Sequence, residues 1–129
     1  MVHWRIMMAV FVGGAIGTYF RYLTSLLITG QNVFNATLFV NGTGSLLLGF
    51  ITGWYFIRSS RQWLKFGLGT GLCGGYTTMS TFAAESVHLA ETSQSTAILY
   101  VLISVVGGIF AACLGVVLGK RLAEMRMRT

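Results

Sequence analysis

The sequence predicts an all-α integral membrane protein of four transmembrane helices, the third of them broken. Three observations predict it. Charged residues make up 9% of the 129 residues and hydrophobic ones 54%, where an ordinary soluble domain carries about 25% charged residues. Too few charges remain to cover a water-facing surface, and the mean hydropathy of +0.72 agrees. Four segments reach the length of about 20 mostly apolar residues that a spanning helix needs. The third of these segments concentrates glycine and hydroxyl residues as no continuous helix would.

The first segment runs from Ile6 to Ile28, the second from Val33 to Ile57, the third from Trp63 to Ala90 and the fourth from Ala97 to Leu118. The connections Gly30-Gln31-Asn32, Arg58-Ser59-Ser60-Arg61 and Glu91-Thr92-Ser93-Gln94-Ser95 are short. They leave room for a single four-helix domain over residues 1–129. Small residues let membrane helices approach closely. The spacings Gly13-Gly14-x-x-Gly17, Gly42-x-Gly44 with Gly49 and Gly53, and Gly107-Gly108 with Gly115 and Gly119 suit that use. In the third segment Gly67, Gly69, Gly71, Gly74 and Gly75 are followed by Thr77, Thr78, Ser80 and Thr81. Irregular backbone at membrane depth is tolerated only inside protein or beside a water-filled cavity. A break over Gly74 to Thr78 would free carbonyls that suit a cation, and N–H groups and hydroxyls that suit an anion. Four helices with this many polar groups predict an oligomer.

The net charge of +6 sits at the ends of the spans. Arg5, Arg58, Arg61, Lys65, Lys120, Arg121, Arg126 and Arg128 share one side of a four-span layout, and only Arg21, within the first span, belongs to the other half. Cytoplasmic loops carry the excess of Lys and Arg, so this distribution alone places both termini in the cytoplasm. No basic face interleaved with aromatics suggests nucleic acid as a partner. The first apolar run shows no processing site and continues into further apolar sequence, unlike a cleaved signal peptide. Cys73 and Cys113 are far apart in apolar surroundings and read as reduced packing residues. No paired carboxylates, nucleophile–histidine arrangement or metal-ligand cluster supports an enzyme, and the GGAIG run follows no strand and so is not a dinucleotide loop.

Polar side chains inside spans are costly and often functional. Arg21 either snorkels from a helix end or fixes a positive charge that draws an anion into a vestibule or braces the bundle. Asn41, in mid-span, either bonds a neighbouring helix or offers its amide N–H groups to an anion. Hydroxyls such as those of Thr77, Thr78, Ser80 and Thr81 often bond back to their own helix, but four beside glycines exceed that need. Phe82 is a packing residue or presents its positive ring edge to an anion. Glu85, a turn further on, reads from the residues alone as a helix-end group near the lipid surface. His88 and Glu91 read as loop-facing groups. Tyr100 and Ser104 are spaced i, i+4 and, with Gly108, form a polar stripe on an apolar helix.

Three motifs resemble the CrcB/Fluc family of fluoride channels: GGAIGTYFRY (13–22), ATLFVNGTGSLLLG (36–49) and GLCGGYTTMSTFAAE (71–85). The resemblance covers nearly the whole chain. It implies a dual-topology, antiparallel homodimer in the bacterial cytoplasmic (inner) membrane, with two pores lined by both subunits. It implies passive, selective fluoride conduction that protects cells from fluoride entering as HF. It also implies a structural Na⁺ at the dimer centre, held by the backbone carbonyls of Gly74 and Thr77. Asn41, Ser80, Thr81 and Phe82 match the family's pore residues, Tyr100 and Ser104 its fourth-helix polar track, and Arg21 and Glu85 its first-helix arginine and third-helix glutamate. Met79 stands where the family usually carries the first of two pore phenylalanines; its weakly positive methyl beside sulfur can still face an anion.

Two other readings fit parts of the chain. A small four-helix multidrug exporter needs a carboxylate in its first spanning helix, and the first segment has neither Asp nor Glu. A non-transporting packing subunit explains the glycines but not a broken third segment beside Asn41 and Arg21.

Overall fold

The computed structural model describes residues 2–28, 33–57 and 61–128. The predicted connection Gly30-Gln31-Asn32 and residues 58–60 of the second connection lie outside them. Helix α1 spans Val2–Ile28 and α2 spans Val33–Ile57. The third span has two limbs. Its first limb is assembled from α3 (Gln62–Phe66), a π-helical segment (Gly67–Cys73) and α4 (Gly74–Tyr76), and its second limb is α5 (Met79–Thr92). The fourth span is α6, Gln94–Arg128. The described residues are helical almost throughout and form no strand, as the sequence predicts.

Helix α1 begins at Val2, four residues before the predicted Ile6, and two later boundaries also differ from expectation. The last connection shrinks to one residue, Ser93, whose extended backbone lets its hydroxyl accept from the Thr96 N–H at 3.3 Å and from Thr96 Oγ1 at 3.0 Å. The fourth helix does not stop at Leu118 but runs on to Arg128. After Gly119 come Lys, Arg, Leu, Ala, Glu and Met, all good helix formers. Hydropathy marks how far a helix is immersed in lipid, not how far it continues. Its 35 residues make α6 about 52 Å long, against a hydrocarbon core of about 30 Å, so its basic end overhangs the bilayer.

The spans pair out of sequence order. Helix α1 packs against the first limb of the third span, and α2 packs along α6. Glycine carries both seams. A Cβ on Gly49 or Gly53 would run into the carbonyls of Ala112 or Val116, and one on Gly115 or Gly119 into those of Leu46 or Phe50. On the other seam Gly13 and Gly17 face the carbonyls of Gly67 and Leu72, and Gly75 faces that of Gly14. Membrane helices gain no hydrophobic drive from meeting one another, so close backbone approach supplies the attraction. The wide π-helical segment, a rare form, lies on this seam with Gly67, Gly69, Gly71 and Cys73 buried. Between the two pairs the contacts are fewer, and the polar residues collect there.

Candidate functional site

The third span breaks at Thr77 and Thr78, inside the predicted interval. Thr77 lies at φ −75°, ψ 160° and Thr78 at φ −142°, ψ 119°, both extended. Such a break leaves backbone groups without helical partners, at several kcal/mol each in hydrocarbon if nothing replaces them. Three residues of other helices meet that need. The Asn41 side chain takes both backbone groups of Thr78: its Oδ1 accepts from the Thr78 N–H at 2.8 Å and its Nδ2 donates to the Thr78 carbonyl at 3.0 Å. Arg21 Nη1 donates to the Thr77 carbonyl at 2.9 Å. Thr18 Oγ1 donates to the Gly75 carbonyl at 3.3 Å. Gly44, one turn beyond Asn41, makes room, since a Cβ there would strike the Thr77 methyl.

The break in turn rearranges its own polar groups. Thr78 caps α5 by accepting from the Thr81 N–H at 3.2 Å, and its hydroxyl lies 3.0 Å from Thr81 Oγ1 and 3.3 Å from Ser80 Oγ. In an unbroken helix the Thr78 N–H would bond the Gly74 carbonyl. It bonds Asn41 instead, which leaves the Gly74 carbonyl without its helical donor. A Cβ on Gly74 would meet nothing within 4 Å, so that stretch of backbone is open to its surroundings.

Glu85 is not a helix-end group near the lipid surface. It lies in the middle of α5 and only 7% of it is exposed. Thr37 Oγ1 donates to one carboxylate oxygen at 2.8 Å, and the Tyr100 hydroxyl donates to the other. A buried carboxylate needs such donors, and here they come from α2 and α6, so Glu85 ties three helices together. The Tyr100 ring also meets Phe82, with centroids 5.5 Å apart.

Arg21, Asn41, Gly74, Thr77, Met79, Thr81 and Ser104 of the expected site residues line three hollows, while Ser80, Phe82, Glu85 and Tyr100 line none of these three. Arg21, Thr37, Thr78 and Thr81 line one, with Thr18 and Ser25. Asn41, Gly74, Thr77 and Met79 line the second. Asn41 and Ser104 line the third, a space of ≈ 210 Å³ bounded by Gly107 and Gly108. Ser104 Oγ is buried there without a hydrogen bond of good geometry. Asn41 is thus common to two hollows on either side of α2. Met79 is 72% exposed, and Ser80 and Thr81 are exposed as well. One copy of the chain therefore does not gather all of these residues around a single path. Among the described residues no group of His, Cys, Asp or Glu could hold a metal.

Comparison with known proteins places this arrangement. The family described as CrcB-like protein, Camphor Resistance (CrcB) matches residues 8–116, which include every residue of the break and its clamps. The chain belongs to the CrcB family. It is 48% identical over 122 residues to "Fluoride-specific ion channel FluC 2" of Halalkalibacterium halodurans, covering 93% of this chain and 90% of the relative. It is 46% identical over 124 residues to the protein of the same name from Bacillus subtilis, covering 96% and 95%. It is 39% identical over 118 residues to "Fluoride-specific ion channel FluC" of Azotobacter vinelandii, covering 88% and 95%. The chain is a multi-pass membrane protein of an ion-channel family, not an enzyme.

Within this CrcB chain, several residues at the site carried little signal in the sequence. Thr37 is one of four hydroxyl residues spread along α2, and its partner Glu85 is 48 residues away. Tyr76 reads as an aromatic of the glycine-rich run. Its hydroxyl accepts from Thr43 Oγ1 at 3.3 Å and lies 3.5 Å from Thr24 Oγ1, so it bridges α1 and α2 beneath the break. Thr18 could be recognised only by the i, i+3 spacing that puts it on one face with Arg21.

Proposed function

We propose that this chain is a fluoride channel of a bacterial cytoplasmic membrane, giving passive fluoride efflux and resistance to fluoride toxicity. The observation that carries the reading is the cavity between α2 and α6. The Asn41 amide and the buried Ser104 hydroxyl line it together at membrane depth, in a chain nearly half identical to proteins named fluoride-specific ion channels. Fluoride is small and holds its water tightly. A path for it must offer donors in place of that water, yet bind loosely enough to let the ion leave. Asn41 Nδ2 has a second N–H beyond the one given to Thr78. Ser80, Thr81 and Ser104 add hydroxyls, and Phe82 adds a ring edge of positive charge. Tyr100 and Glu85 hold α5 against α6 so that these groups keep their spacing. Arg21 supplies a fixed positive charge at the hollow that leads towards the break.

The conducting form in this proposal is an antiparallel pair of copies. Exposed hydroxyls and the open Gly74 backbone at mid-membrane cannot face lipid, and a second copy laid across the break would cover them. The exposed Met79 of one copy would then enter the path of the other. A Na⁺ ion is the cation the family implies. The Gly74 carbonyl, relieved of its helical donor, and the Thr77 carbonyl, which keeps a lone pair beyond its bond to Arg21, suit such an ion. Two carbonyls make an incomplete shell, which a pair of copies would double. The ion would supply positive charge that balances the converging carbonyl dipoles.

The test is fluoride efflux from liposomes containing the purified protein, read with a fluoride electrode, with valinomycin present and chloride as the control ion. Fluoride efflux without chloride efflux is the expected result. Efflux of both ions, or of neither from wild type and from Met79→Phe alike, would overturn the reading.

A further inference from the structure

The end of the bundle that holds the cations also holds all three tryptophans. Trp4 opens α1, Trp54 lies in the last turn of α2, and Trp63 lies in α3. Tryptophan at this depth marks the membrane–water interface. At the same end a cleft opens between α2, the π-helical segment and the overhanging part of α6. Phe50, Ile51, Trp54, Tyr55, Leu68 and Leu122 line it, around a volume of ≈ 320 Å³. The lining is almost wholly apolar, so water has few partners there.

The rim of the cleft is cationic. Lys65 precedes Leu68 by three residues and Arg126 follows Leu122 by four, which sets each about one turn outward on the face its leucine presents. Both are exposed. An apolar slot at interface depth with cations just above it matches one molecule in its surroundings: a lipid with an acyl chain below and a negative headgroup above. We propose that this cleft is a binding site for an anionic phospholipid of the leaflet on that side, with one acyl chain in the slot and its phosphate paired with Lys65 and Arg126.

The proposal stands apart from ion selectivity, so its test does not use flux. Trp54 stacks on Phe50, with ring centroids 6.2 Å apart, which puts a fluorophore in the wall of the cleft. The full chain carrying Trp4→Phe and Trp63→Phe is placed in phosphatidylcholine vesicles. These contain the same minor fraction of either brominated phosphatidylglycerol or brominated phosphatidylcholine. Brominated phosphatidylglycerol is expected to quench Trp54 about twofold more strongly, and Lys65→Gln with Arg126→Gln, both at exposed positions, should abolish the excess. Equal quenching by the two lipids overturns the proposal, as does an excess that survives both substitutions. Absence of quenching by either lipid, the result if a second copy fills the cleft, overturns it too.

Discussion

The Asn41 side chain pairs with the Thr78 backbone through two hydrogen bonds, one in each direction, at 2.8 and 3.0 Å. A side-chain amide here does for one residue what a neighbouring strand does for many. It is what allows an extended residue to exist inside a bundle of helices.

Asn41→Ala therefore removes both bonds and strands a buried donor and acceptor, at about 1–3 kcal/mol for each group. The expected result is a large drop in thermal stability in detergent, together with loss of fluoride efflux. Asn41→Asp keeps the acceptor, loses the donor and adds a negative charge to the path. It should retain more stability than Asn41→Ala while still abolishing efflux. Untouched efflux in Asn41→Asp would remove Asn41 from the pore.

Met79 and Phe82 should part company. Met79 is 72% exposed, so Met79→Phe is expected to leave stability within about 0.5 kcal/mol of wild type while changing the fluoride efflux rate. Phe82→Ile loses the contact with Tyr100 and should reduce both. Efflux rates and melting curves on the same preparations separate the two effects.

The Glu85 carboxylate depends on its two hydroxyl donors. Tyr100→Phe and Thr37→Val each remove one, and hydrogen bonds to charged groups contribute about 1.5–3 kcal/mol. Both variants should melt earlier than wild type, and Glu85→Gln earlier than Glu91→Gln or Glu124→Gln, whose side chains are exposed. Equal melting of the three glutamate variants would sink the tie between α2, α5 and α6.

The two glycine seams should tolerate no side chain. Gly115→Val drives a branched side chain into the Leu46 carbonyl, and overpacking of this kind costs about 1–3 kcal/mol or more. Gly107→Ala has nothing within 4 Å of its new methyl and should keep the thermal stability of wild type. Size-exclusion profiles before and after heating provide the comparison.

Neutralising the overhang of α6 should shift how the chain inserts. Arg126→Gln with Arg128→Gln lowers the charge on the side that carries nearly all of it, and insertion follows that bias. Accessibility of a cysteine introduced at Ser95 to an impermeant reagent, in a background of Cys73→Ser and Cys113→Ser, measures the orientation ratio. The expected change is a larger share of the orientation with Ser95 facing the cytoplasm.

Much of this was legible in advance. Glycine and threonine density announced the break to within a residue or two, because both resist continuous helix. The glycine spacings announced close packing but not its partners: Gly49 and Gly53 do not say that they meet α6 rather than α1. The residues around Glu85 do not by themselves distinguish a helix-end group from a structural charge, because its burial depends on Thr37 and Tyr100, which only the folded bundle brings together. The apolar run does not show the true end of α6 because Lys120, Arg121, Glu124, Arg126 and Arg128 interrupt it, and charge ends a membrane span without ending a helix.

The order of pairing bears on how the protein is made. Helix α1 waits for the third span and α2 waits for the fourth, so a ribosome that has delivered only the first two helices has delivered neither seam. Both early helices then sit in the bilayer with their glycine faces unoccupied until the second half of the chain arrives. Truncation after residue 57 should leave nothing that holds together, and a slow second half would lengthen the window in which quality-control proteases find a half-built protein.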